Sequence, residues 1–446
     1  MRRAVAAGAP GTVEVALDVL ARGGNAVDAA VAAGFLMPVT EPGLASLGGG
    51  GFMMVRGADG HTELIDFFAA VPTPNGEPME VVTVEFTDAR QDFAVGSGSV
   101  AVPGMLPGLL HAHDRFGRMA REDVIDAALT SARGGAVMTQ AQALVLSLIG
   151  VVLTLTPESA AVYAPGGEML QAGQTLHNPD YVGFLEQLRD GLDALPALAP
   201  LHAGDLAAYR VFEREPLRLE LGDLTVLTNP APSMGGAIVA QALSDLRSLD
   251  ATARELLDAL CEATEASKAD GPTSVRGTTH ISVSDGEQVV AMTVSNGSCS
   301  GVMLPGTGVQ LNNMMGESDL HPSGVEEVVG ARIRSMMAPT LVERGGLVTA
   351  LGTGGSERIR SALVRVIALL GAGADLQAAI DAPRVHMDND GVVQLEPGFP
   401  GAQVEQLPLP VSHWHDRDFY FGGVHAVSSD GAAAADARRG GCTGGV

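Results

Sequence analysis

Apolar residues near the start of the chain recur at the spacing of helices. Over residues 12–22 they fall on one helical face, and Gly23-Gly24 favours a stop after them. Asn25 can cap a second helix over residues 26–36, whose many alanines suit close packing. A glycine run then leads into a strand predicted over residues 52–56. We therefore expect two packed helices followed by a strand.

Helical patterning dominates the middle of the chain. Residues 119–216 read as largely helical and contain no catalytic constellation, so their helices are expected to cover one face of a sheet. Period-two alternation over residues 217–227 predicts one strand. Residues 237–246 and 251–266 then return to helical spacing.

A loop followed by a strand is the most informative stretch. Residues 270–276 are rich in turn formers and predict an exposed loop. Polar and apolar residues alternate over residues 278–283, and the β-branched members favour a strand that begins with a hydroxyl residue. Asp285-Gly286 favours a tight turn, and residues 289–295 form the return strand of a hairpin.

Such a hairpin brings its two ends together. Ser295 and Asn296 therefore fall beside Thr278, where Ser295 can hydrogen-bond the hydroxyl and Asn296 can contact a bound acyl group. The simpler alternative is that both are polar residues at a strand end.

The Gly277-Thr278 junction is a candidate for self-cleavage. The hydroxyl of Thr278 can attack the Gly277 carbonyl, and glycine tolerates the strained backbone that this attack requires. Hydrolysis of the ester frees Thr278 as a new N-terminus, whose α-amine, with a reference pKa of about 7.7 to 8, can act as general base for its own hydroxyl. One residue then supplies nucleophile and base, as in an N-terminal nucleophile hydrolase. The alternative is an ordinary strand with two threonines.

Composition narrows the classes of partner. The chain has 446 residues, of which 46% are hydrophobic and 18% charged, so it can bury a large core and is not disordered. Its formal net charge is -25 and Lys268 is its only lysine, which disfavours nucleic acid and anionic membrane surfaces. Small molecules are the expected partners.

Neither a membrane span nor a disulfide framework is predicted. Every apolar run is broken well before about 18 residues, and the segment before Gly8 lacks the apolar core of a signal peptide, so we expect a cytoplasmic location. Cys261, Cys299 and Cys442 are odd in number and far apart, which argues against a disulfide framework or a cysteine metal site, although two of them can still pair.

Metal and nucleotide cofactors are not predicted either. The two glycine-rich runs lack the Lys-Ser/Thr that follows in a P-loop. Two histidine pairs with a spacing of two have no clear third ligand: His413 with His415, and His111 with His113. His280 is expected to be a hydrogen-bonded core histidine, because the α-amine already fills the role of base.

Ordered motifs recur along nearly the whole chain. They are Gly23-Gly24-Asn25-Ala26-Val27-Asp28-Ala29-Ala30-Val31, Glu41-Pro42, the glycine-rich turn before Phe52, Val102-Pro103-Gly104, Asn229-Pro230-Ala231-Pro232-Ser233-Met234-Gly235-Gly236, Thr278-Thr279-His280, Leu311-Asn312-Asn313-Met314, Ser335-Met336-Met337-Ala338-Pro339-Thr340, Gly354-Gly355-Ser356 and Ala382-Pro383-Arg384. In this order and number they resemble the γ-glutamyltranspeptidase family.

The resemblance implies a fold of class α+β, the four-layer αββα sandwich of N-terminal nucleophile hydrolases. It implies self-cleavage into a large subunit, residues 1–277, and a small subunit, residues 278–446, that stay interlocked as a heterodimer, with a dimer of heterodimers as an open alternative. The implied reaction transfers a γ-glutamyl or similar acyl group from an amide such as glutathione to water or an amine through an acyl-Thr278 intermediate, without a cofactor.

The resemblance also assigns site residues. Gly354 and Gly355, between a predicted strand and a helix, match the oxyanion hole, and two backbone N–H groups at a helix N-terminus suit an anionic intermediate. Ser295 matches the second hydroxyl residue of the family. Glu317 matches the acidic residue that binds the substrate α-amine, and Ser335 matches a serine near the α-carboxylate.

One position departs from the family pattern. Phe68 stands where family members have an arginine that pairs with the α-carboxylate. Losing that contact costs about 2 to 5 kcal/mol if the carboxylate is still bound in a desolvated pocket. Met314 and Met336, where a glutamine and a serine are common, make the pocket more apolar.

Several hypotheses therefore stay open. The substrate can carry a glutaryl or other dicarboxylic acyl group, as for a cephalosporin-type amide acylase. Another arginine, such as Arg334 or Arg358, can replace the missing one, or Phe68 can be a plain core aromatic with the substrate unchanged. An uncleaved, non-catalytic scaffold is disfavoured because the chain retains both the cleavage junction and the glycine pair.

Overall fold

A computed structural model describes residues 2–74, 76–85, 90–191, 203–267, 277–321, 326–408 and 410–446. The loop predicted over residues 270–276 lies outside the described residues. The strand predicted after it is present and begins at Gly277.

The helices, in chain order, are α1 (Pro10–Ala21), α2 (Ala26–Thr40), α3 (Met105–Phe116), α4 (Arg121–Gly134), α5 (Gln140–Leu148), α6 (Gly150–Leu153), α7 (Pro157–Tyr163), α8 (Pro179–Arg189), α9 (Ala203–Ala208), α10 (Met234–Asp245), α11 (Ala253–Ser267), α12 (Arg358–Gly371), α13 (Leu376–Asp381) and α14 (Gly401–Val404). The strands are β1 (Ala4–Ala7), β2 (Gly50–Arg56), β3 (Thr62–Phe67), β4 (Glu80–Glu85), β5 (Arg90–Val95), β6 (Ala136–Val137), β7 (Thr175–Leu176), β8 (Phe212–Arg214), β9 (Leu217–Leu221), β10 (Leu224–Thr228), β11 (Gly277–Ser284), β12 (Val289–Gly297), β13 (Met303–Leu304), β14 (Val309–Gln310), β15 (Thr340–Arg344), β16 (Leu347–Gly354), β17 (Val385–Met387), β18 (Val393–Leu395), β19 (Val411–His413), β20 (Gly423–Ser428), β21 (Ala433–Ala435) and β22 (Cys442–Gly445).

Capping residues explain where the first two helices begin. Pro10 opens α1, where its missing N–H is not needed. The Asn25 side chain accepts a hydrogen bond from the backbone N–H of Asp28, and the Asp28 carboxylate accepts one from the backbone N–H of Asn25. α2 is buried along its whole length and continues through Pro38, beyond the predicted end at residue 36.

Two antiparallel sheets form the centre of the protein. The larger has the strand order β22-β1-β11-β12-β2-β3-β8, and the smaller has the order β21-β20-β16-β15-β10-β9. Strand β11 contacts β16 and β20, so the two sheets face each other. Helices α1 and α2 pack against the larger sheet, and α10 and α12 pack against the smaller one. The architecture is a mixed α/β fold.

Alternation along β11 decides what each of its faces contacts. Ile281 and Val283 belong to the apolar core shared with α1 and α2. The Ser282 hydroxyl lies 3.1 and 3.2 Å from the carbonyl oxygens of Ala350 in β16 and His425 in β20. The predicted alternation is confirmed, and the polar face of β11 is directed towards the second sheet.

One predicted strand was wrong. Residues 217–227 form the hairpin β9–β10, because Gly222 adopts a left-handed backbone with φ of +66° and reverses the chain. The hairpin predicted around Asp285-Gly286 is confirmed, with β11 ending at Ser284 and β12 beginning at Val289.

Within the described residues, no helix combines the length and the apolar character that crossing a membrane requires. All three cysteines are described, and none is paired in a disulfide.

Candidate active site

The β11–β12 hairpin places Ser295 directly opposite Thr278. The two residues are register partners in the antiparallel pair, as expected from the short turn. A bulge shifts the register between Gly277 and Thr278, so that Gly277 pairs with Gly297 and Asn296 becomes the extra residue. The structure therefore brings the predicted nucleophile and the predicted second hydroxyl together.

A chain of hydrogen bonds joins Thr278 to the peptide bond that precedes it. Thr278 Oγ1 donates to Ser295 Oγ over 3.2 Å, and Ser295 Oγ donates to the Gly277 carbonyl oxygen over 2.6 Å. The N–H of Gly297 donates to Ser295 Oγ over 3.0 Å and helps to fix its rotamer. Thr278 and Ser295 are 5% and 7% exposed, so water competes little for these bonds. The arrangement can orient the hydroxyl and polarise the carbonyl at the same time.

Close backbone approach explains the first glycine run. A Cβ at Gly49 would lie 2.3 Å from the Ser295 carbonyl oxygen, and one at Gly51 would lie 2.6 Å from the Thr293 carbonyl oxygen. Both distances are well inside van der Waals contact, so glycine is needed for the chain to pass this close to β12. The run supports the position of Ser295.

The second glycine pair lies against Thr278 where β16 ends. A Cβ at Gly354 would lie only 1.9 Å from the Thr278 carbonyl oxygen. Gly355 has φ of +131° and Ser356 has φ of +53°, and α12 begins at Arg358. A serine in the left-handed region is uncommon and indicates that the surroundings enforce this backbone. The predicted glycine pair is therefore next to the predicted nucleophile, at the start of a helix.

Thr278 and Ser295 open into a pocket. It has about 320 Å³ of empty space, its open mouth included. Half of the lining residues are apolar and half carry hydroxyl or carboxyl groups: Phe68, Met314, Leu320, Met336, Met337 and Ile359 on one hand, Thr278, Ser295, Glu317, Asp319, Ser335 and Ser356 on the other. No arginine, lysine or histidine of the described chain is among them.

Two residues that were predicted to bind the substrate, Glu317 and Ser335, line this pocket and are held by hydrogen bonds. Glu317 Oε1 accepts hydrogen bonds from the N–H and the hydroxyl of Ser298, over 3.0 and 3.2 Å. Ser335 Oγ accepts one from the N–H of Met337 over 3.0 Å. Both residues are buried, so these bonds hold their side chains in defined orientations.

Asn296, in contrast, is not brought into the pocket. Its Nδ2 donates to the Leu311 carbonyl oxygen and to Cys299 Sγ, each over 3.3 Å. Ser295 is among the residues that line the pocket, and Asn296 is not. The predicted contact between Asn296 and an acyl group has no counterpart in this geometry.

Phe68 forms a wall of the pocket and also belongs to the core. Its ring stacks on Phe52 with centroids 5.5 Å apart, and it is 2% exposed. The buried Asp66 carboxylate accepts from the Phe68 N–H and pairs with Arg214 and Arg332 at 2.8 and 3.0 Å. These arginines are therefore engaged by Asp66.

Neither arginine considered as a replacement lines the pocket. Arg334 has its Nη1 3.9 Å from Met234 Sδ. Arg358 stacks on the Tyr420 ring at 4.7 Å and donates from Nε to the Tyr420 carbonyl oxygen over 3.2 Å. The position left by the family arginine is thus lined by apolar side chains, Phe68 among them.

Glu41 lies behind β11 and was missed by the sequence analysis. Its carboxylate accepts hydrogen bonds from the hydroxyls of Thr279 and, over 2.7 Å, Thr12. Glu41 is fully buried, and this burial raises the pKa of its carboxyl group despite the two hydroxyl donors. The Glu41-Pro42 motif was visible in the sequence, but nothing there linked it to Thr279.

His280 is confirmed as a hydrogen-bonded core histidine. Nδ1 bonds to the Thr293 hydroxyl over 2.8 Å and Nε2 to the Ser282 hydroxyl over 2.9 Å. Burial lowers the pKa of His280 well below its ordinary value, so the ring is neutral near pH 7.

The histidine pairs do not converge on a metal site. His111 and His113 lie on helix α3, where a spacing of two does not place side chains on one face. His413 ends β19, and His415 follows it outside the strand. Among the residues that the structure describes, no group of three or more His, Cys, Asp or Glu is arranged to hold a metal ion.

Two polar residues that line the pocket, Asp319 and Ser356, were also not predicted as site residues from the sequence. Each follows a predicted site residue closely, Asp319 after Glu317 and Ser356 after Gly355. Proximity along the chain was the available signal. Proximity alone does not show that these side chains point into the pocket, because their direction depends on the local turns.

The sequence of this chain is similar to a known protein family and to characterised relatives. The sequence profile of the gamma-glutamyltranspeptidase family matches residues 12–195 and 262–446. The chain is 32% identical to the Acylase ACY 1 proenzyme of Pseudomonas sp. (strain SE83), over 87% of this chain and 83% of that protein. It is 29% identical to the Glutathione hydrolase proenzyme of Escherichia coli (strain K12), over 84% of this chain and 79% of that protein.

The fold is shared as well. The crystal structure of cephalosporin acylase from Bacillus halodurans superposes with a TM-score of 0.79 at 20% identity, covering 99% of this chain and 95% of that one. At this identity the likeness speaks for the fold alone. Together with the family profile, which spans most of the sequence, these findings show that the chain belongs to the gamma-glutamyltranspeptidase family.

Proposed function

We propose that this chain is an amide hydrolase or acyltransferase in which Thr278 is the nucleophile. The observation that carries the proposal is the hydrogen-bond chain from Thr278 through Ser295 to the Gly277 carbonyl oxygen. Membership of the family supports the enzyme class. Activity begins with self-cleavage and continues with turnover of a small amide.

In the precursor, Thr278 Oγ1 attacks the carbonyl carbon of Gly277. Ser295 Oγ accepts the hydroxyl proton of Thr278 as its own proton moves to the Gly277 oxygen, which offsets the negative charge that develops there. As the carbonyl re-forms, that proton passes to the Thr278 nitrogen. The peptide C–N bond then breaks, the Thr278 nitrogen becomes a free α-amine, and water hydrolyses the ester. The products are subunits of residues 1–277 and 278–446.

Strand order supports subunits that remain interlocked. In the larger sheet, β1 of the first subunit lies between β22 and β11 of the second, and in the smaller sheet β10 pairs with β15. Main-chain hydrogen bonds therefore join the two subunits in both sheets after cleavage. With α1 and α2 against one sheet and α10 and α12 against the other, we assign the fold to the four-layer αββα class.

During turnover the α-amine of Thr278 is the general base for its own hydroxyl. Thr278 attacks the amide carbonyl of the substrate, and the backbone N–H groups of Gly354 and Gly355 stabilise the oxyanion. The N-terminus of α12, which follows the pair, favours negative charge at this point. The amine leaves, and water or an acceptor amine releases the acyl group. These steps need no cofactor.

The pocket suits an acyl group with an amine at its far end. Glu317 and Asp319 line it, and no cationic side chain of the described residues does. A γ-glutamyl group offers an ammonium that Glu317 can hold, whereas its α-carboxylate must rely on neutral donors such as Ser335. We therefore propose γ-glutamyl amides, with glutathione as the representative, as the first substrate class.

An amide acylase is the second candidate. Phe68, Met314 and Met336 together make one wall apolar, which fits an acyl group without a zwitterionic end. The Pseudomonas relative is itself named an acylase. Glutaryl and cephalosporin-type side-chain amides represent this class.

Three p-nitroanilides separate these candidates: γ-glutamyl, which carries amine and carboxylate, 4-aminobutanoyl, which carries the amine only, and glutaryl, which carries the carboxylate only. We expect the two amine-bearing substrates to be hydrolysed with higher kcat/KM than glutaryl. A preference for glutaryl would favour the acylase. Thr278→Ala is expected to stay uncleaved and inactive. An unbroken parent chain of 45.6 kDa that is inert on all three would leave only a scaffold.

Phe68→Arg tests the role of the apolar wall. A guanidinium at this position should raise kcat/KM for the two carboxylate-bearing anilides, relative to 4-aminobutanoyl, by about 30-fold or more, corresponding to about 2 kcal/mol. Phe68→Leu keeps the wall apolar and is the matched control. Equal effects of Phe68→Arg on all three substrates would mean that Phe68 acts as a core aromatic without facing the acyl group.

A further inference from the structure

A buried arginine near the C-terminus, Arg439, lies against the Gly354–Gly355 pair. Arg439 follows β21 and is 7% exposed. Its aliphatic stem packs on Gly423, where an added Cβ would lie 2.7 Å from Arg439 Cβ. Gly423 is the register partner of Gly354 across β20 and β16, so the missing side chain at Gly423 opens the path to Gly354.

The guanidinium group lies along the glycine pair. Arg439 Nη1 is 3.2 Å from the position that a Cβ on Gly354 would occupy, and Nη2 is 3.4 Å from the corresponding position on Gly355. The Thr278 carbonyl oxygen approaches the same Cβ position of Gly354. A small pocket separate from the substrate pocket is lined by Thr278, Gly354 and Arg439 together. The positive charge of Arg439 therefore lies beside the glycine pair and close to the main chain of Thr278.

One end of this guanidinium has no partner. Nε donates to the Phe419 carbonyl oxygen over 3.2 Å, and the guanidinium stacks on the Phe419 ring at 3.9 Å. Nη1 is buried and makes no hydrogen bond to the described chain. Burial lowers the pKa of Arg439 to about 9, which leaves it charged at neutral pH. A buried cation with an unused donor is costly to a fold.

Within the described residues, Arg439 forms no ion pair with a carboxylate. Among the carboxylates, Asp436 does most to raise the pKa of Arg439. Asp436 is already paired with Arg384 and Arg438, and Arg438 is also paired with Glu396. Two arginines and two carboxylates thus balance among themselves. Asp418 also acts on Arg439, and its Oδ1 accepts a hydrogen bond from the Tyr420 N–H.

We propose that Arg439 is a positioning residue of the catalytic centre, whose buried positive charge supports the Gly354–Gly355 pair and stabilises the oxyanion that forms when Thr278 attacks an amide. Preorganised charge in a water-excluded site acts strongly on a developing negative charge, even from behind the donors that touch it. The inference rests on the proposed acyl transfer at Thr278. It does not extend to self-cleavage, where the Gly277 oxygen already has the Ser295 hydroxyl.

The test compares Arg439→Gln, Arg439→Lys and Phe419→Leu with the parent on its best anilide. Arg439→Gln removes the charge and is expected to lower kcat about 10- to 100-fold with KM within about threefold, while self-cleavage continues. Arg439→Lys keeps the charge and should retain kcat within about tenfold of the parent. Phe419→Leu removes the stacking ring, keeps the charge and should leave kcat within about threefold.

Two results would overturn the inference. One is a matured Arg439→Gln enzyme with kcat within about twofold of the parent, since a supporting residue should cost about tenfold or more. The other is a kcat of Arg439→Lys as low as that of Arg439→Gln, because the charge would then not be the cause. If Arg439→Gln does not mature, an Arg439→Lys enzyme whose kcat lies more than about tenfold below the parent overturns the inference. A parent without activity on any anilide would instead overturn the proposed function, and this inference with it.

Discussion

Ser295→Ala tests the hydrogen-bond chain at the cleavage junction. The substitution removes the hydroxyl that donates to the Gly277 carbonyl oxygen over 2.6 Å and accepts from Thr278 Oγ1 over 3.2 Å. The hydrogen bond to the Gly277 oxygen is the more important of the two, because negative charge builds up on that oxygen as Thr278 attacks. We expect self-cleavage to slow sharply.

The magnitude follows from the two states of that oxygen. In the folded precursor, leaving a buried carbonyl without its donor costs about 1 to 3 kcal/mol of folding stability. In the transition state the same donor faces a developing oxyanion, where loss of one donor costs about 2.7 to 4 kcal/mol. At about 1.4 kcal/mol per factor of ten, the cleavage rate should fall about 100- to 1000-fold.

The assay follows purified precursor over time by denaturing gel and intact mass, scoring fragments that correspond to a break before Thr278. Ser300→Ala is the matched control. Ser300 is also buried, donates to the Leu311 carbonyl oxygen over 3.0 Å and accepts from the Val302 N–H over 3.2 Å, and neither bond involves Gly277 or Thr278. Cleavage of Ser295→Ala within about threefold of the parent rate would refute the reasoning, as would equal slowing by both variants.

Two further predictions concern the surroundings of Thr278. Gly354→Ala places a Cβ 1.9 Å from the Thr278 carbonyl oxygen, so it should destabilise the precursor by about 1 to 3 kcal/mol or more and lower the yield of cleaved protein, as measured by thermal unfolding and gel. For Glu41, burial raises the folded-state pKa above 4.5, so its contribution to stability is full below about that pH and is lost as the pH rises through the folded pKa. Glu41→Gln does not titrate, and its Tm relative to the parent should rise with pH above 4.5.

Each of these has a control and a contradicting result. Gly134→Ala, at the exposed end of α4 with no atom within 4 Å of the new Cβ, should leave the Tm near that of the parent. If Gly354→Ala were equally harmless, the close approach to Thr278 would be wrong. Glu168→Gln, which removes an exposed carboxylate, is the matched control. A flat difference for Glu41→Gln would contradict its raised pKa.

Much of the junction could be predicted from local sequence. The turn at Asp285-Gly286 fixes the register of a short hairpin, and that register alone sets Ser295 opposite Thr278. Alternation along the strand likewise predicted that β11 has one polar and one apolar face. Asn296 escaped the same reasoning, because the bulge makes it the extra residue of β12 and its amide bonds to Leu311 and Cys299.

The sequence by itself therefore determined the family and the hairpin that holds the Gly277-Thr278 junction, because motifs and turn residues act over short distances along the chain. Only the tertiary structure decided what surrounds Thr278. Gly354 comes from the facing sheet, Glu41 from the end of a helix and Arg439 from the C-terminal region, and they meet because two sheets pack face to face. Such contacts depend on how distant elements pack, which no local pattern encodes.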